Sequence, residues 1–192
     1  MNENANTILE RFNSLSMAGV EPDRGENVQT YEWPINGDHT AKVIGMYLEV
    51  SSDKQKITYG GKSSTIPGMN IQFQYELNAE TPAYSNPAMK LPAKSKFYGE
   101  RFRFPVDEAS ANLTEGQRTN IRITKERLAG CIRTLLGRNP DQKNLAGDLA
   151  AMMAKINGAS PVYIKLRTTT KEDGQYTNSS EHWVDLLAAK VN

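Results

Sequence analysis

The ten residues from Ala41 to Val50 constrain the fold more than any other stretch of the chain. Lys42, Ile44, Met46, Leu48 and Val50 point one way along a strand, and Ala41, Val43, Gly45, Tyr47 and Glu49 the other. Both sets are largely apolar, which predicts a central strand covered on both faces for much of its length. Gly45 in its middle predicts a bulge or a sharp bend, the device by which a strand curls round a barrel corner. A polar, glycine-rich arm bearing Lys54, Lys56, Tyr59 and Lys62 follows over residues 51–68 and is expected to be mobile unless something binds it. Residues 70–77 then alternate cleanly, with Ile71, Phe73, Tyr75 and Leu77 inward and Asn70, Gln72, Gln74 and Glu76 outward. Two strands joined by such an arm can begin a small barrel that grips a polyanion, or form an ordinary hairpin with a loose tip.

A chain of 192 residues is expected to form one domain, here residues 31–192, preceded by a partly flexible extension over residues 1–30. Its 38% hydrophobic and 23% charged residues are those of a soluble globular protein. No run approaches the roughly 18 apolar residues of a membrane span, and residues 1–5 lack the basic-then-apolar pattern of a secretion signal. The single cysteine, Cys131, excludes an internal disulfide framework and fits a reducing, cytoplasmic compartment. With only His39 and His182 beside it, a structural zinc site is not expected, and no cofactor is called for. The net charge of +1 hides an asymmetry. Residues 1–53 carry three bases against nine acids, a net −6, whereas residues 86–138 carry eleven against five, a net +6. A basic middle on a neutral chain points to a one-sided positive surface, or to scattered solvated side chains.

Ahead of the long strand, Ile8, Phe12 and Leu15 fall on one helical face, and Trp33-Pro34 followed by Asn36-Gly37 reads as extended chain entering a turn. After it, residues 81–96 hold three prolines and no period, an irregular loop. Residues 97–104 resume a strand with Phe102 and Phe104 beneath Arg101 and Arg103. Two helices are expected next. The first is capped by Thr124, carries Leu128, Cys131, Ile132, Leu135 and Leu136, and ends at Gly137. The second opens at Asn139-Pro140, carries Leu145, Leu149, Met152, Met153 and Ile156, and closes at Asn157-Gly158. The last segment is a hairpin. Val162, Ile164 and Leu166 face inward, Tyr163, Lys165 and Arg167 outward, and Asp173-Gly174 supplies the turn signal. Its return strand is read over residues 183–187, beyond a polar stretch at 177–180.

No catalytic constellation emerges, so no enzyme is expected. Neither histidine has a nucleophile placed to use it. Gly61-Lys62-Ser63 ends like a phosphate-binding loop but lacks the upstream glycine at the required spacing. Binding of single-stranded nucleic acid needs cations along a groove and aromatic faces for unstacked bases. Both occur interleaved: Tyr47, Lys54, Lys56, Tyr59 and Lys62; then Lys94, Lys96, Tyr98, Arg101 and Arg103; then Tyr163, Lys165 and Arg167. Tyr98 shares the parity of buried Phe102 and reaches the outer face only if Gly99 marks a bulge. For any one ring, core packing or isolated exposure is the competing account.

The curled strand at 42–50 preceded by Trp33-Pro34 and Gly37, the helical segment at 124–130, and the strand 162–167 turning at Asp173-Gly174 together resemble the bacteriophage-type single-stranded-DNA-binding proteins with an OB fold, over residues 31–187. The resemblance implies a mainly β protein with helices: an OB-fold-like β-barrel carrying a two-helix insertion before its C-terminal hairpin. It implies sequence-tolerant binding of single-stranded DNA during viral DNA replication or recombination in a host-cell cytoplasm. The partners would be the DNA and proteins of those processes, with no membrane. Many such proteins end in an acidic tail that recruits partners; this sequence ends with Ala188 to Asn192, so that role does not carry over. The alternative is a structural or assembly protein, a virion or replisome subunit, using the same face for protein contacts.

Overall fold

The computed structural model describes residues 9, 12–15, 17, 35–50, 57–59, 62–64, 68–84, 87–88, 90–105, 113–173 and 176–188. The elements in order are β1 (Gly37–Val50), β2 (Ile57–Tyr59), β3 (Lys62–Ser64), β4 (Gly68–Leu77), β5 (Thr81–Pro82), β6 (Lys90–Leu91), β7 (Lys96–Pro105), α1 (Glu115–Leu136), α2 (Leu145–Ile156), β8 (Val162–Asp173) and β9 (Tyr176–Leu187). The protein is mainly β, with one five-stranded antiparallel sheet in the order β7-β4-β1-β8-β9 and two helices. β2 pairs with β3 and β5 with β6 as separate two-stranded ladders. Among the described residues the large sheet does not close on itself by hydrogen bonding. The chain divides into two compact units, Met1–Pro22, Tyr47–Gln72 and Arg101–Met153 in the first, Asp23–Met46, Phe73–Glu100 and Ala154–Asn192 in the second.

β1 occupies the centre of the sheet order, as its two apolar faces predict, but it starts at Gly37 rather than Ala41. Ala41, Val43 and Gly45 are buried, and Met46 on the opposite parity is buried as well, whereas Tyr47 and Glu49, which share the parity of Ala41 and Val43, are exposed. The buried side of this one continuous strand thus changes near Gly45–Met46. β4 follows its alternation from Ile71 to Leu77, with Ile71, Phe73 and Tyr75 wholly buried, but Asn70, expected outward, is buried as well. The return strand β9 begins at Tyr176, so the polar stretch 177–180 is part of the ladder and not a connector; Thr169 and Ser180 meet there, Oγ1 to Oγ 2.8 Å. The loop read as irregular over 81–96 contains the β5–β6 pair.

α1 departs most from expectation. Its N-cap is Thr114, ten residues before Thr124, in a capping box: the Gln117 N–H donates to Thr114 Oγ1 (3.3 Å) and the Thr114 N–H to Gln117 Oε1 (2.8 Å). Thr124 lies mid-helix, its hydroxyl donating to the Asn120 carbonyl. Hydrophobic periodicity fades over the first three turns because Gln117 and Lys125 occupy two of the buried positions there, with Ile121 between them. Gly137 ends the helix in the left-handed conformation, φ 72°, as predicted. α2 opens at Leu145, not at Pro140. The intervening residues are organised by side-chain oxygens: Asp141 accepts from the Lys143 and Asn144 N–H groups, buried Asp148 accepts from Arg138 and from the Asp141 N–H, and Asn144 accepts from the Gly147 N–H. In the first unit Phe12, Leu15 and Met17 are buried, and Asn13 Oδ1 accepts from the Ala146 N–H, so this part of the N-terminal segment is built into the core.

In the second unit a buried polar network sits among aromatic rings. Trp183 Nε1 donates to the Tyr75 hydroxyl (2.8 Å), which donates to Glu181 Oε1 (2.5 Å), and Glu181 Oε2 accepts from the Glu100 N–H (3.2 Å). Phe73 lies 4.8 Å from the Trp183 ring and Phe97 5.1 Å from Tyr75, centroid to centroid. A Cβ at Gly99 would run into the Glu181 carboxylate, so β7 can approach β9 this closely only with glycine there. A buried carboxylate is costly unless hydrogen-bonded on its lone pairs. Glu181→Ala removes the acceptor of the Tyr75 hydroxyl and of the Glu100 N–H and should cost about 3 kcal/mol, lowering the melting temperature by ~10 °C. Gly99→Ala should also destabilise, by about 2 kcal/mol. Unchanged melting of both variants by circular dichroism would show that this contact is dispensable.

Candidate functional site

The residues predicted to bind nucleic acid fall into three groups. Lys54 and Lys56 lie outside the described residues. Tyr59 and Lys62 are opposite each other in the β2–β3 ladder, at the end of each strand nearest the other in sequence. The remaining nine lie on β1, β7, β8 and the residues just before β7.

In the first unit the strands bring three polar side chains into a row. Asn70 Nδ2 reaches Glu49 Oε2 (3.4 Å), which places these two residues on one face of β1 and β4. Two residues along each antiparallel strand, Tyr47 and Gln72 fall on that same face by the period of two. Gln72 Oε1 in turn accepts from Arg101 Nε on β7 (3.4 Å). Tyr47 is 48% exposed, on the parity that is buried from Ala41 to Gly45. Arg101 is exposed and Arg103 half-exposed, alternating with Phe102 and Phe104, both fully buried. No carboxylate among the described residues pairs with Arg101 or Arg103. Glu49, also exposed, stands beside the row through its bond from Asn70. A guanidinium presents a planar fork to phosphate oxygens, and a tyrosine ring offers a stacking face.

In the second unit Lys94, Lys96 and Tyr98 are exposed, Tyr98 to 52%. Lys94 takes a left-handed conformation, φ 70°, and its N–H donates to the Leu77 carbonyl at 2.8 Å. Tyr98 and Arg101 are both exposed although three residues apart, with Gly99 buried between them. That is the break in alternation that Tyr98 required to reach the outside.

β8 carries Tyr163, Lys165 and Arg167 outward over buried Val162, Ile164 and Leu166, as the alternation predicts. Its cations, unlike those of β7, are compensated. Asp38, the direct ladder partner of Arg167, accepts from Arg167 Nε (2.7 Å) and Nη2 (3.2 Å) and from Lys165 Nζ (2.7 Å). Asp185 stands opposite Lys165 on the other side. A strand taken from Ala41 leaves Asp38 outside the ladder, where the sequence offers it no partner but neighbouring His39. Extended back to Gly37, the alternation puts Asp38, Thr40 and Lys42 opposite Arg167, Lys165 and Tyr163. Gln72 carried no signal beyond being the outward residue between Ile71 and Phe73.

Asp38 also reports on its surroundings. Its hydrogen bond from Arg167, opposed by partial burial and assisted by Lys165, holds the carboxyl down at about 2, against an ordinary 3.8. The same bond raises the Arg167 guanidinium. His39, next in sequence, is pushed down by burial, partly offset by the hydrogen bond between its Nε2 and the Ile35 carbonyl (3.2 Å). That bond holds the turn in which Ile35 takes φ 44°, a conformation disfavoured for a β-branched residue. Among the described residues no three His, Cys, Asp or Glu side chains cluster as metal ligands, and no helix is long and apolar enough to cross a membrane. Compared with protein-family models, with curated proteins and with solved structures, the chain gives no match.

A carboxylate whose folded pKa lies below its unfolded value stabilises the fold above about pH 4 and stops doing so as pH falls through about 2. Wild-type protein should therefore exceed Asp38→Asn in stability by about 1 kcal/mol near pH 6, after solvent screening. The difference should vanish near pH 2 in urea titrations at a series of pH values. A gap that persists at low pH would assign the effect to something other than the charge.

Proposed function

We propose that this protein binds single-stranded DNA with little regard to sequence, through the outer face of its sheet, and has no turnover of its own. The observation that carries the reading is the row Tyr47, Gln72 and Arg101 across three adjacent strands, with Arg101 and Arg103 uncompensated by any described carboxylate. An exposed aromatic ring beside guanidinium groups that no described carboxylate neutralises is the pairing that stacks an unpaired base and holds its phosphate. Tyr98 with Lys96 repeats the pairing on the second unit. The strand order supports an OB-type barrel as the scaffold. With the four short strands set aside, the long strands β1, β4, β7, β8 and β9 become first to fifth, in the order 3-2-1-4-5, with two helices between third and fourth. That order is compatible with the five-stranded, partly open OB arrangement, whose second and third strands bind oligonucleotides, and the Glu181 bond to the Glu100 N–H links the third strand to the fifth. Replication or recombination of viral DNA in a host cell is the setting this reading proposes.

One observation favours the assembly alternative: β9 ends the sheet order and leaves Val184 and Leu186 exposed at 38% and 37%. A fluorescence titration with oligo-dT at two salt concentrations separates the two readings. Affinity should fall as salt rises, with a log–log slope of about −0.7 per phosphate neutralised. Replacing Arg101 and Arg103 together by alanine should weaken binding about tenfold or more with a melting temperature within ~2 °C of wild type. Undetectable binding at low salt overturns the reading; a large fall in melting temperature would make the arginines structural.

A further inference from the structure

We infer that Asp38 is a built-in competitor for the DNA phosphate, occupying an anion site formed by Lys165 and Arg167 that a phosphodiester enters only by displacing it. This deepens the DNA-binding reading and rests on it. The geometry is that of a filled anion site. Two cations two residues apart on β8 converge on one carboxylate from the neighbouring strand, through three bonds of 2.7, 3.2 and 2.7 Å. The Arg167 fork spans both oxygens, as it would span two oxygens of a phosphate. All three side chains remain reachable by solvent, at 29% for Asp38, 41% for Lys165 and 37% for Arg167. A solvent-exposed ion pair is held weakly, whereas a polyanion gains counterion release with each phosphate bound. Exchange of carboxylate for phosphate is therefore open to DNA. Tyr163, next outward on β8 and opposite Lys42, supplies a ring beside the site.

Removing the competitor should strengthen binding, which is the reverse of what loss of an ordinary contact does. Asp38→Asn and Asp38→Ala are each expected to tighten oligo-dT binding at low salt by about three- to tenfold, and to steepen the salt slope by about 0.7 for each cation freed. Asp185→Asn is the control. It removes the same charge from the same face, and among the described residues Asp185 makes no ion pair with Lys165 or Arg167. Adding Lys165→Gln and Arg167→Gln to Asp38→Asn should return affinity to the wild-type value. Tightening by the Asp38 variants but not by Asp185→Asn supports the inference. Equal tightening by all three would reduce it to net charge, and wild-type binding left unchanged by Asp38→Asn overturns it while the DNA-binding reading stands. Absence of oligo-dT binding by every variant overturns both.

Discussion

The contact on which the second unit depends most is the buried carboxylate of Glu181. It takes a hydrogen bond from the Tyr75 hydroxyl on one oxygen and from the Glu100 N–H on the other, and Tyr75 is itself fixed by Trp183. A charged group in such a place is tolerated only because its oxygens are satisfied. Its value lies in position. β7 and β9 stand at opposite ends of the hydrogen-bonded strand order, yet one side chain of β9 bonds the backbone of β7. Glycine at position 99 makes room for that carboxylate, and the same residue marks the break in alternation that leaves Tyr98 outside. The joint between two strands and the exposure of a candidate base-stacking ring thus share a cause.

The electrostatics of the outer surface follow from strand pairing rather than from composition. Cations on β7 and cations on β8 look alike in sequence, as bases alternating with buried apolar residues. On β7 the neighbours of Arg101 include an amide, Gln72, which orients the guanidinium without cancelling its charge. On β8 the neighbour is Asp38, whose single negative charge is shared between Lys165 and Arg167 and offsets one of their two positive charges. Two surfaces with similar formal charge thereby differ in how readily they accept a phosphate. That difference is the physical basis for assigning them separate roles.

Much of the secondary structure was legible because its signals are local. The alternation of 70–77, the rows of Phe102 and Phe104 under Arg101 and Arg103, and Gly137 as a left-handed cap all depend on a few adjacent residues. The start of α1 was misplaced where the buried stripe is carried by Gln117 and Lys125, which hydrophobic periodicity does not register. The capping box at Thr114 and Gln117 was the local signal available. β9 was cut short for a similar reason: its polar residues 177–180 are in the ladder to β8, and no apolar alternation marks them in the sequence.

The sequence by itself determined the class of the protein. Period-two runs, a glycine in the central strand, helical stripes after the third long strand and a basic middle make it a mainly β chain with two helices and candidate phosphate-binding side chains, because these depend on spacing along the backbone. Only the tertiary structure decided which of those side chains are available. The change of buried side near Gly45 left Tyr47 exposed, the ladder set Asp38 against Arg167, and Glu181 was placed under the backbone of β7. The last two join residues 129 and 81 positions apart, and no local pattern records which strand will lie beside which.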